Sequence, residues 1–203
     1  MKAIDLFSKW ALSGRDVGMV KNHMPAVQKM LSIILKKPIK NFSFIDIGCG
    51  NGYVVREVSK NALCFKSIGI DGSKEMIEKA KKLDPKGEYI LSDISIWSPK
   101  EKFDYIHSME VMYYLENPKK TIDFIVKNWL RKGGVMIMGI DFYYENKNCH
   151  SWPKDLDVTM NLLTINQWRD IFISSGLNHV KYFQINKKGD FSGTLIISGI
   201  NSK

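Results

Sequence analysis

Residues 42–53, FSFIDIGCGNGY, decide the fold of this 203-residue chain. The apolar run predicts a short buried strand, and the glycine cluster after it predicts a tight turn into a helix. Gly48, Gly50 and Gly52 lack side chains, so a ligand can approach the backbone of this turn closely. In open α/β sheets, ligands bind beyond the carboxyl ends of the strands. We therefore expect a ligand site at this turn.

The chain after this turn alternates short apolar runs with amphipathic stretches, which is typical of an α/β domain with a mainly parallel sheet. Further strands are predicted at 64–71, 88–92, 103–109 and 135–141, with a closing hairpin at 179–186 and 191–200. Helices are predicted at 53–60, 73–83, 117 to the glycine pair 133–134, and 164–175. Residues 2–12 and 25–36 look helical and precede this alternation. The sequence thus predicts a helical cap at 1–40 and one α/β domain at 41–203.

The chain carries 30 Lys and Arg residues against 21 Asp and Glu residues, a formal net charge of +9. Most of this excess lies in residues 1–40, which hold eight basic side chains but only Asp5 and Asp16, a net of +6. Net charge concerns solubility and steering rather than fold. The basic character is therefore local and gives little support for a nucleic-acid-binding fold.

Three cysteines, Cys49, Cys64 and Cys149, form no CxxC pair, so the sequence predicts neither a disulfide framework nor a zinc site. Such cysteine usage fits a reducing compartment. Asp5 and Lys9 interrupt the first apolar residues too soon for a signal peptide. No apolar run reaches the roughly 18 residues that span a bilayer. We expect a cytoplasmic protein with no membrane partner.

Three carboxylates are predicted at the ends of the first three strands: Asp46, Asp71 and Asp93. Because they repel one another on one edge of a sheet, a functional reason for them is favoured. An acid that ends the second strand suits the ribose hydroxyls of a dinucleotide or of another adenosine ligand. Tyr53 stands where a dinucleotide fingerprint requires its third glycine, and no lysine follows Gly52 as a phosphate loop requires. An adenosine ligand without a pyrophosphate is therefore favoured.

The segments FIDIGCGNGY, IGIDGS, SDIS and FDYIHSMEVMYYL, in this order, resemble the successive motifs of class I S-adenosylmethionine-dependent methyltransferases. The motifs cover roughly residues 40–140, and the helix and hairpin after them fit the family's sheet. The resemblance implies a Rossmann-like, doubly wound, seven-stranded and mainly parallel sheet with an antiparallel last strand. It also implies an enzyme whose cofactor is S-adenosylmethionine.

The same resemblance implies a set of cofactor-binding residues: Asp46, Gly48, Cys49, Gly50, Asp71, Gly72, Met76, Ser92, Asp93, Ile94, Ser108 and Met109. In the family's arrangement the glycine loop packs against the methionine part, and Asp71 takes both ribose hydroxyls. Asp93 with the backbone of Ile94 would read the adenine edge, and Met76 would cover the ring. The end of the fourth strand would line the donor pocket.

Two departures from related patterns bear on metal and substrate. The segment MEVMYYL resembles the MEMLEHV-like segment of quinone O-methyltransferases, but Tyr113 and Tyr114 replace an acid and a histidine linked to metal binding. We therefore predict no metal. The fourth strand is not followed by an Asn-Pro-Pro-Tyr-like tetrapeptide, with which amino-methylating nucleic-acid enzymes grip a base. A small-molecule acceptor is favoured; the alternatives are an RNA or protein methyltransferase and a non-catalytic S-adenosylmethionine-binding subunit.

The candidate catalytic residues are Glu110, Tyr114, Tyr143 and His150, with Tyr113, Asp141, Tyr144 and His23 also near the expected mouth of the site. Residues 141–153, DFYYENKNCHSWP, combine aromatic rings with carboxylates, which can hold an amine by cation–π attraction. The alternative is that these rings pack the loop onto the sheet. The guanidinium of Arg15 could bind a carboxylate group of the substrate. An amine, an amino acid derivative and a carboxylate are therefore all candidate methyl acceptors. His107 falls within a strand, where a core histidine is expected.

Overall fold

The structure, a computed structural model, describes residues 1–36, 38 and 41–202. Seven strands lie within these residues: β1 (Phe42–Ile47), β2 (Cys64–Asp71), β3 (Glu88–Leu91), β4 (Phe103–Met109), β5 (Leu130–Ile140), β6 (Leu177–Ile185) and β7 (Thr194–Asn201). They form one sheet in the order β3-β2-β1-β4-β5-β7-β6. The first five strands are parallel, and β7 is antiparallel to both β5 and β6. The predicted sheet with its antiparallel last strand is confirmed.

The same described ranges contain seven α-helices: α1 (Ala3–Ser13), α2 (Arg15–Ile34), α3 (Tyr53–Val58), α4 (Lys74–Leu83), α5 (Pro118–Trp129), α6 (Trp152–Asp155) and α7 (Ile165–Ser174). The predicted N-caps are present, because Ser73, Asn117 and Thr164 accept backbone N–H groups at the starts of α4, α5 and α7. In the described part of the chain, no helix is long and apolar enough to cross a membrane.

Apolar side chains pack on both faces of the sheet. One cluster contains Ile45 and Ile47 of β1, and another contains Phe44 of β1 together with Val27 and Met30 of α2. Each such buried side chain contributes about 1.5–3 kcal/mol to stability. The N-terminal helix α2 therefore packs into the core of the sheet domain. The predicted domain boundary at residue 40 lies outside the described residues.

The helix α2 begins at Arg15, well before the predicted start at residue 25. Gly14, with a left-handed φ of 76°, separates it from α1. The prediction was wrong because Pro25 favours a helix start, yet here it lies inside the helix. Proline in a helix interior costs about 3 kcal/mol. Burial of the apolar face that includes Val27 and Met30 offsets that cost.

The strand β5 begins at Leu130, directly after α5, whereas the sequence predicted that the helix would continue to the glycine pair 133–134. Leu130 pairs with Phe103, and the next pair joins Tyr105 to Val135, so the intervening residues form a bulge. The glycines therefore lie inside β5 and permit this irregularity.

Candidate functional site

A cavity of about 1100 Å³ opens at the carboxyl ends of β1, β2, β3 and β4. Here the strand order reverses between β1 and β4, the position at which open α/β sheets bind ligands. Residues of α1 and α2 form its roof. Small-molecule sites usually occupy about 300–1000 Å³. The cavity therefore has room for a cofactor and a second small molecule.

The glycine loop after β1 forms the floor of this cavity. Gly48 and Gly50 have left-handed φ values of 68° and 51°. A Cβ at Gly48 would overlap the side chain of Val111, whereas a Cβ at Gly50 would meet only the sulfur of Met76, at 3.8 Å. Gly50 thus presents an open face to the cavity. Cys49 also lines the floor, and burial raises the pKa of its thiol, which keeps it neutral.

Asp71 is held by backbone donors on both of its oxygens. Its Oδ2 accepts the N–H of Gly50 at 2.9 Å, and its Oδ1 accepts the N–H of Ser73 at 2.8 Å. Burial raises the pKa of Asp71, and the hydrogen bonds to its oxygens act in the opposite direction. Each carboxylate oxygen can accept more than one hydrogen bond. Asp71 is therefore fixed in position and keeps acceptor capacity for further hydrogen bonds.

Asp46 lines the cavity behind the glycine loop and is paired with a histidine from the next strand. Its Oδ1 lies 2.7 Å from Nδ1 of His107, and both side chains are buried. Burial raises the pKa of Asp46, while His107 lowers it. Nε2 of His107 is buried without a hydrogen-bond partner among the described residues. The strand position thus makes His107 a core residue, as expected, and ties it to the loop.

The predicted adenine end of the site lies beyond β2 and β3. Asp93 is exposed, and its Oδ1 accepts the N–H and the hydroxyl of Ser95 at 2.8 and 2.7 Å. Ile94 and Met76 are buried apolar surfaces facing the same space, and Ser92 also lines it. The structure therefore brings the predicted adenine-side residues together on one wall.

The helix α1 crosses the opening beside Asp71. Ile4 lies so close to Gly72 that a Cβ there would be 2.6 Å from its Cδ1, and the hydroxyl oxygens of Ser8 and Ser73 are 2.9 Å apart. Behind α1, the first turn of α2 contributes a buried carboxylate. This arrangement makes the N-terminal helices a wall of the site rather than a detached extension.

The buried carboxylate is Asp16, which joins three elements. Its Oδ1 lies 2.6 Å from Nζ of Lys79 on α4, and its Oδ2 accepts Nδ2 of Asn51 in the glycine loop at 2.8 Å. The sequence interpretation missed Asp16 and Asn51. The sequence offered one indication, which is that Asp16 is one of only two acidic residues in the strongly basic segment 1–40.

The opposite wall of the cavity is built by the segment that follows β4. Glu110 has a positive φ of 60°, which is unusual outside glycine. Its oxygens accept the hydroxyl of Tyr113 at 2.7 Å and the backbone N–H of Asp141 at 2.5 Å. Burial raises the pKa of Glu110, and the charge of Asp141 raises it further. Tyr114, edge-on to Phe7 of α1 with ring centroids 5.3 Å apart, completes this wall.

Glu110 is also one of three side chains that converge. The ligand atoms of His23, Glu110 and Asp141 all lie within 4.8 Å of one another. His23 and Glu110 line the cavity, while Asp141 lies behind them and is 9% exposed. The sequence interpretation named all three without predicting that they meet, because they belong to three distant parts of the chain.

Three of the predicted cofactor-binding and catalytic residues do not line the cavity, and neither do Tyr113, Asp141 and Tyr144, which were expected near its mouth. Ser108 is buried within β4 and, as the neighbour of Met109, points to the other face of the sheet. Tyr143 is fully buried, and its hydroxyl donates to the carbonyl oxygen of Gly193 at 2.8 Å. His150 lies outside the cavity, with Nε2 2.9 Å from the carbonyl oxygen of Tyr144. The structure therefore places these residues in packing and loop contacts.

The aromatic loop at 141–153 follows the packing alternative. Phe142 is buried and stacks on Trp152, with ring centroids 6.3 Å apart. Neither ring faces the cavity, and Arg15 is exposed outside it. The expectation of an amine cage in this loop, and of a carboxylate partner for Arg15, is not supported by these positions.

Known proteins share this fold and these motifs. A family model described as a methyltransferase domain matches residues 20–184. A malonyl-[acyl-carrier protein] O-methyltransferase of Ilyobacter polytropus is 25% identical over 81% of this chain and 65% of that protein. A ubiquinone biosynthesis O-methyltransferase of Pelagibacter ubique is 35% identical over 50% of this chain and 43% of that protein.

A solved methyltransferase of Haloferax volcanii, in complex with the Trm112 methyltransferase activator, has a TM-score of 0.86 over 97% of this chain and 98% of that chain, at 22% identity. At that identity the likeness concerns the fold. This chain spans from about two fifths to just under two thirds of the length of the two curated relatives. The family match covers most of the chain, and its cavity lies where the family's motifs meet. The chain therefore belongs to the class I S-adenosylmethionine-dependent methyltransferase family.

Proposed function

We propose that this chain binds S-adenosylmethionine in the cavity and transfers its methyl group to a small-molecule acceptor beside Glu110 and Tyr114. The observation that carries the proposal is Asp71, whose two oxygens are fixed by backbone N–H groups next to the open face of Gly50. A rigid carboxylate beside an uncovered backbone suits a ribose that lies against the loop. The remaining predicted binding residues, apart from Ser108, line the same cavity.

The residues present fit this cofactor. Asp71 would accept the two ribose hydroxyls, and Met76 and Ile94 would pack on the adenine ring. The open face of Gly50 would let the methionine part lie against the backbone. The bound cofactor supplies a methyl group activated on a sulfonium sulfur. The chain then has to orient the acceptor atom and exclude water, which can provide most of the rate enhancement.

A small acceptor suits the shape of the site better than a macromolecule. Ile4 of α1 lies on Gly72, and Phe7 reaches across to Tyr114, so the roof covers the cavity. The wall groups include buried Asp46 and Glu110, and acids disfavour a nucleic acid. The alternative, an RNA or protein methyltransferase, rests on the basic N-terminal segment.

The test is a two-part assay. Calorimetry with S-adenosylhomocysteine should show binding, and a coupled assay should detect its release with one class among amines, amino acids, carboxylates and phenols. The screen is run with and without a Trm112-type activator, because the Haloferax volcanii methyltransferase of the same fold is in complex with one. Absence of binding would refute the cofactor assignment. Methylation of tRNA or a peptide with a steep salt dependence would refute the small-molecule assignment.

We also propose that residues 1–40 act as a helical cap on a cytoplasmic methyl-transfer domain at 41–203. The contact of Ile4 with Gly72 and the 2.9 Å approach of Ser8 to Ser73 support the cap. Replacing Ile4 by Ala should speed dissociation of S-adenosylhomocysteine a few-fold in stopped-flow measurements, because α1 then covers the site less closely. An unchanged rate would argue against a capping role.

A further inference from the structure

The cluster of His23, Glu110 and Asp141 lies at the inner end of the cavity. Glu110 follows the last residue of β4 directly, and Asp141 follows the last residue of β5. Because these strands are parallel neighbours, both carboxylates reach the same edge of the sheet. α2 crosses above them and brings His23 to the cavity wall.

Among the described residues, no lysine or arginine is paired with either carboxylate of this cluster, and His23 offsets the charge of Asp141 only when it is protonated. Oδ1 of Asp141 is buried without a hydrogen-bond partner among the described residues. Glu110 accepts two hydrogen bonds, from Tyr113 and from the backbone of Asp141, and both donors are neutral. A buried carboxylate without compensation is costly. The positive φ of Glu110 adds strain, which persists mostly at functional positions. With His23 neutral, the cluster therefore lacks a positively charged donor in the described part of the chain.

The spacing of the cluster suits a nitrogen. Three atoms up to 4.8 Å apart have a common point that lies no more than about 2.8 Å from each of them, the length of an N–H···O hydrogen bond. An alkylammonium group brings one positive charge and up to three N–H donors. Zinc or another transition metal prefers metal–ligand distances of about 2.0–2.2 Å. If the three ligand atoms are as far apart as 4.8 Å, the side chains would have to move closer to one another to bind such an ion.

The third group can accept a proton. Burial lowers the pKa of His23, and the charge of Asp141 acts against that shift. At neutral pH the His23 imidazole is therefore available as a neutral base. Tyr114 and Phe7 line the same cavity, and aromatic rings can attract a cation.

We propose that His23 and Glu110 bind the amino group of the methyl acceptor, with Asp141 behind them as a positioning charge, so that the substrate is a primary or secondary amine. This inference rests on the proposed function. The ammonium group gives one proton to His23, and the freed nitrogen lone pair forms the new N–C bond. The sulfur–methyl bond breaks with its electron pair on sulfur, which yields S-adenosylhomocysteine and a methylated ammonium. His23 then releases its proton to solvent.

The experiment compares acceptors that differ in one group. Phenethylamine, 2-phenylethanol and phenylacetate form one such set, and a wider panel adds diamines and amino alcohols with their hydroxyl and carboxylate counterparts. Release of S-adenosylhomocysteine should occur with amines and not with their counterparts. Turnover confined to hydroxyl or carboxylate compounds, or absent from every amine, would overturn the inference. Binding of S-adenosylhomocysteine is measured in parallel, and its loss would instead refute the proposed function.

Variants then test the residues. Glu110→Gln and Asp141→Asn should raise the KM for the accepted amine by about 10-fold or more, as expected for a lost charged hydrogen bond. His23→Gln should mainly lower kcat. All three should retain affinity for S-adenosylhomocysteine within about threefold. The matched controls are the exposed His179→Gln and Asp190→Asn, which should match the wild type.

Two results would overturn the assignment of residues. An amine KM within twofold of wild type in both Glu110→Gln and Asp141→Asn would show that the amino group binds elsewhere. Loss of turnover on treatment with EDTA, restored by Zn²⁺ or Mn²⁺, would identify the cluster as a metal site. Thermal unfolding of each variant identifies any variant that fails to fold. The variants that do fold then show whether these residues bind the amine.

Discussion

The two sides of the cavity are built by different means. On the nucleotide side, formed by Gly50 and Asp71, backbone N–H groups of adjacent turns hold the carboxylate. On the acceptor side, formed by His23, Glu110 and Asp141, the groups come from three distant segments, and one carboxylate oxygen has no partner in the described part of the chain. The first side is held by backbone hydrogen bonds, whereas the second leaves polar capacity unused.

This difference indicates that the two sides of the cavity have separate roles in ligand binding. Preorganised groups bind one ligand well, because little reorganisation remains to be made on binding. One fold can retain the residues that bind the cofactor and vary the residues on the opposite side of the cavity. Proteins with the same sheet can then act on different substrates. The named relatives differ in what they act on, since one is named for malonyl-[acyl-carrier protein] and the other for ubiquinone biosynthesis. The predictions below ask whether the two sides are as separable as their construction suggests.

The largest effect is expected from Tyr143→Ala, which tests where the acceptor side ends. Tyr143 is fully buried, donates to the carbonyl oxygen of Gly193, and accepts Nε2 of Gln184 at 2.7 Å. Removing it should lower the free energy of unfolding by about 3–5 kcal/mol, as is usual for a large buried ring. Urea denaturation measures this loss.

The exposed neighbour Tyr144 provides the control for Tyr143, since Tyr144→Ala should change stability little. Under conditions in which the Tyr143→Ala variant remains folded, its turnover should stay near the wild-type value. A stable variant without turnover would contradict this, and would add the aromatic residues at 142–152 to the acceptor side.

The next largest effect is expected from Asp71→Ala on the nucleotide side. The variant loses the acceptor for two hydroxyls and leaves the N–H groups of Gly50 and Ser73 without their partner. Charged hydrogen bonds contribute about 1.5–3 kcal/mol each, so the Kd for S-adenosylhomocysteine should rise about 100-fold or more. Calorimetry measures it, with the exposed Asp190→Ala as control. Equal affinity in both variants would refute the role of Asp71.

The positions of Gly48, Gly50 and Asp71 at one cavity could be predicted, because these residues lie at the ends of neighbouring strands. The turn that carries Gly48 and Gly50 follows one apolar strand directly, and Asp71 ends the next strand. Parallel strands bring such ends together without any further information. Ser108 does not line the cavity, because successive residues of a strand point to opposite faces of the sheet. The sequence motif does not specify which face each residue takes.

The convergence of His23, Glu110 and Asp141 could not be predicted, because it depends on where distant segments pack. His23 reaches the cavity only because α2 begins earlier than predicted and crosses the sheet. The aromatic content of 141–153 suggested a ligand site, but rings such as Phe142 satisfy packing equally well. Composition cannot distinguish a buried ring from a binding ring, since both uses favour the same side chains.

A smaller effect is expected from Lys79→Met, which tests the link between the roof and the glycine loop. The substitution keeps the apolar stem but removes the charge that pairs with buried Asp16 at 2.6 Å. Because Lys79 is partly exposed and Asn51 still donates to Asp16, the loss should be about 1–2 kcal/mol of unfolding free energy. The exposed Lys81→Met on the same helix should change little.

The same Lys79→Met variant measures how far the roof and the floor are coupled. Asn51 belongs to the glycine loop, so a displaced Asp16 should weaken S-adenosylhomocysteine binding by less than tenfold in calorimetry. A variant with reduced stability and unaltered affinity would show that the roof stabilises the fold without shaping the nucleotide side.

The pH dependence of stability should differ between the wild type and Glu110→Gln, by little near pH 4.5 and by more as the pH rises. Burial raises the pKa of Glu110 above its ordinary value, so the folded state holds this proton more tightly than the unfolded state. Stability from this group is therefore fully present below pH 4.5 and is lost as the pH rises toward the raised pKa. The glutamine variant has no such loss. Relative to it, the wild type should lose up to about 1.4 kcal/mol per pH unit above pH 4.5.

Urea denaturation of both proteins between pH 4 and 8 measures that difference, with no ligand and no assay of turnover. The two curves should coincide at the acid end and then separate, with the variant the more stable at neutral pH. Parallel curves would mean that Glu110 ionises as it does in the unfolded chain. The acceptor side would then be stable without a cation, and the contrast with the fixed carboxylate of Asp71 would be lost.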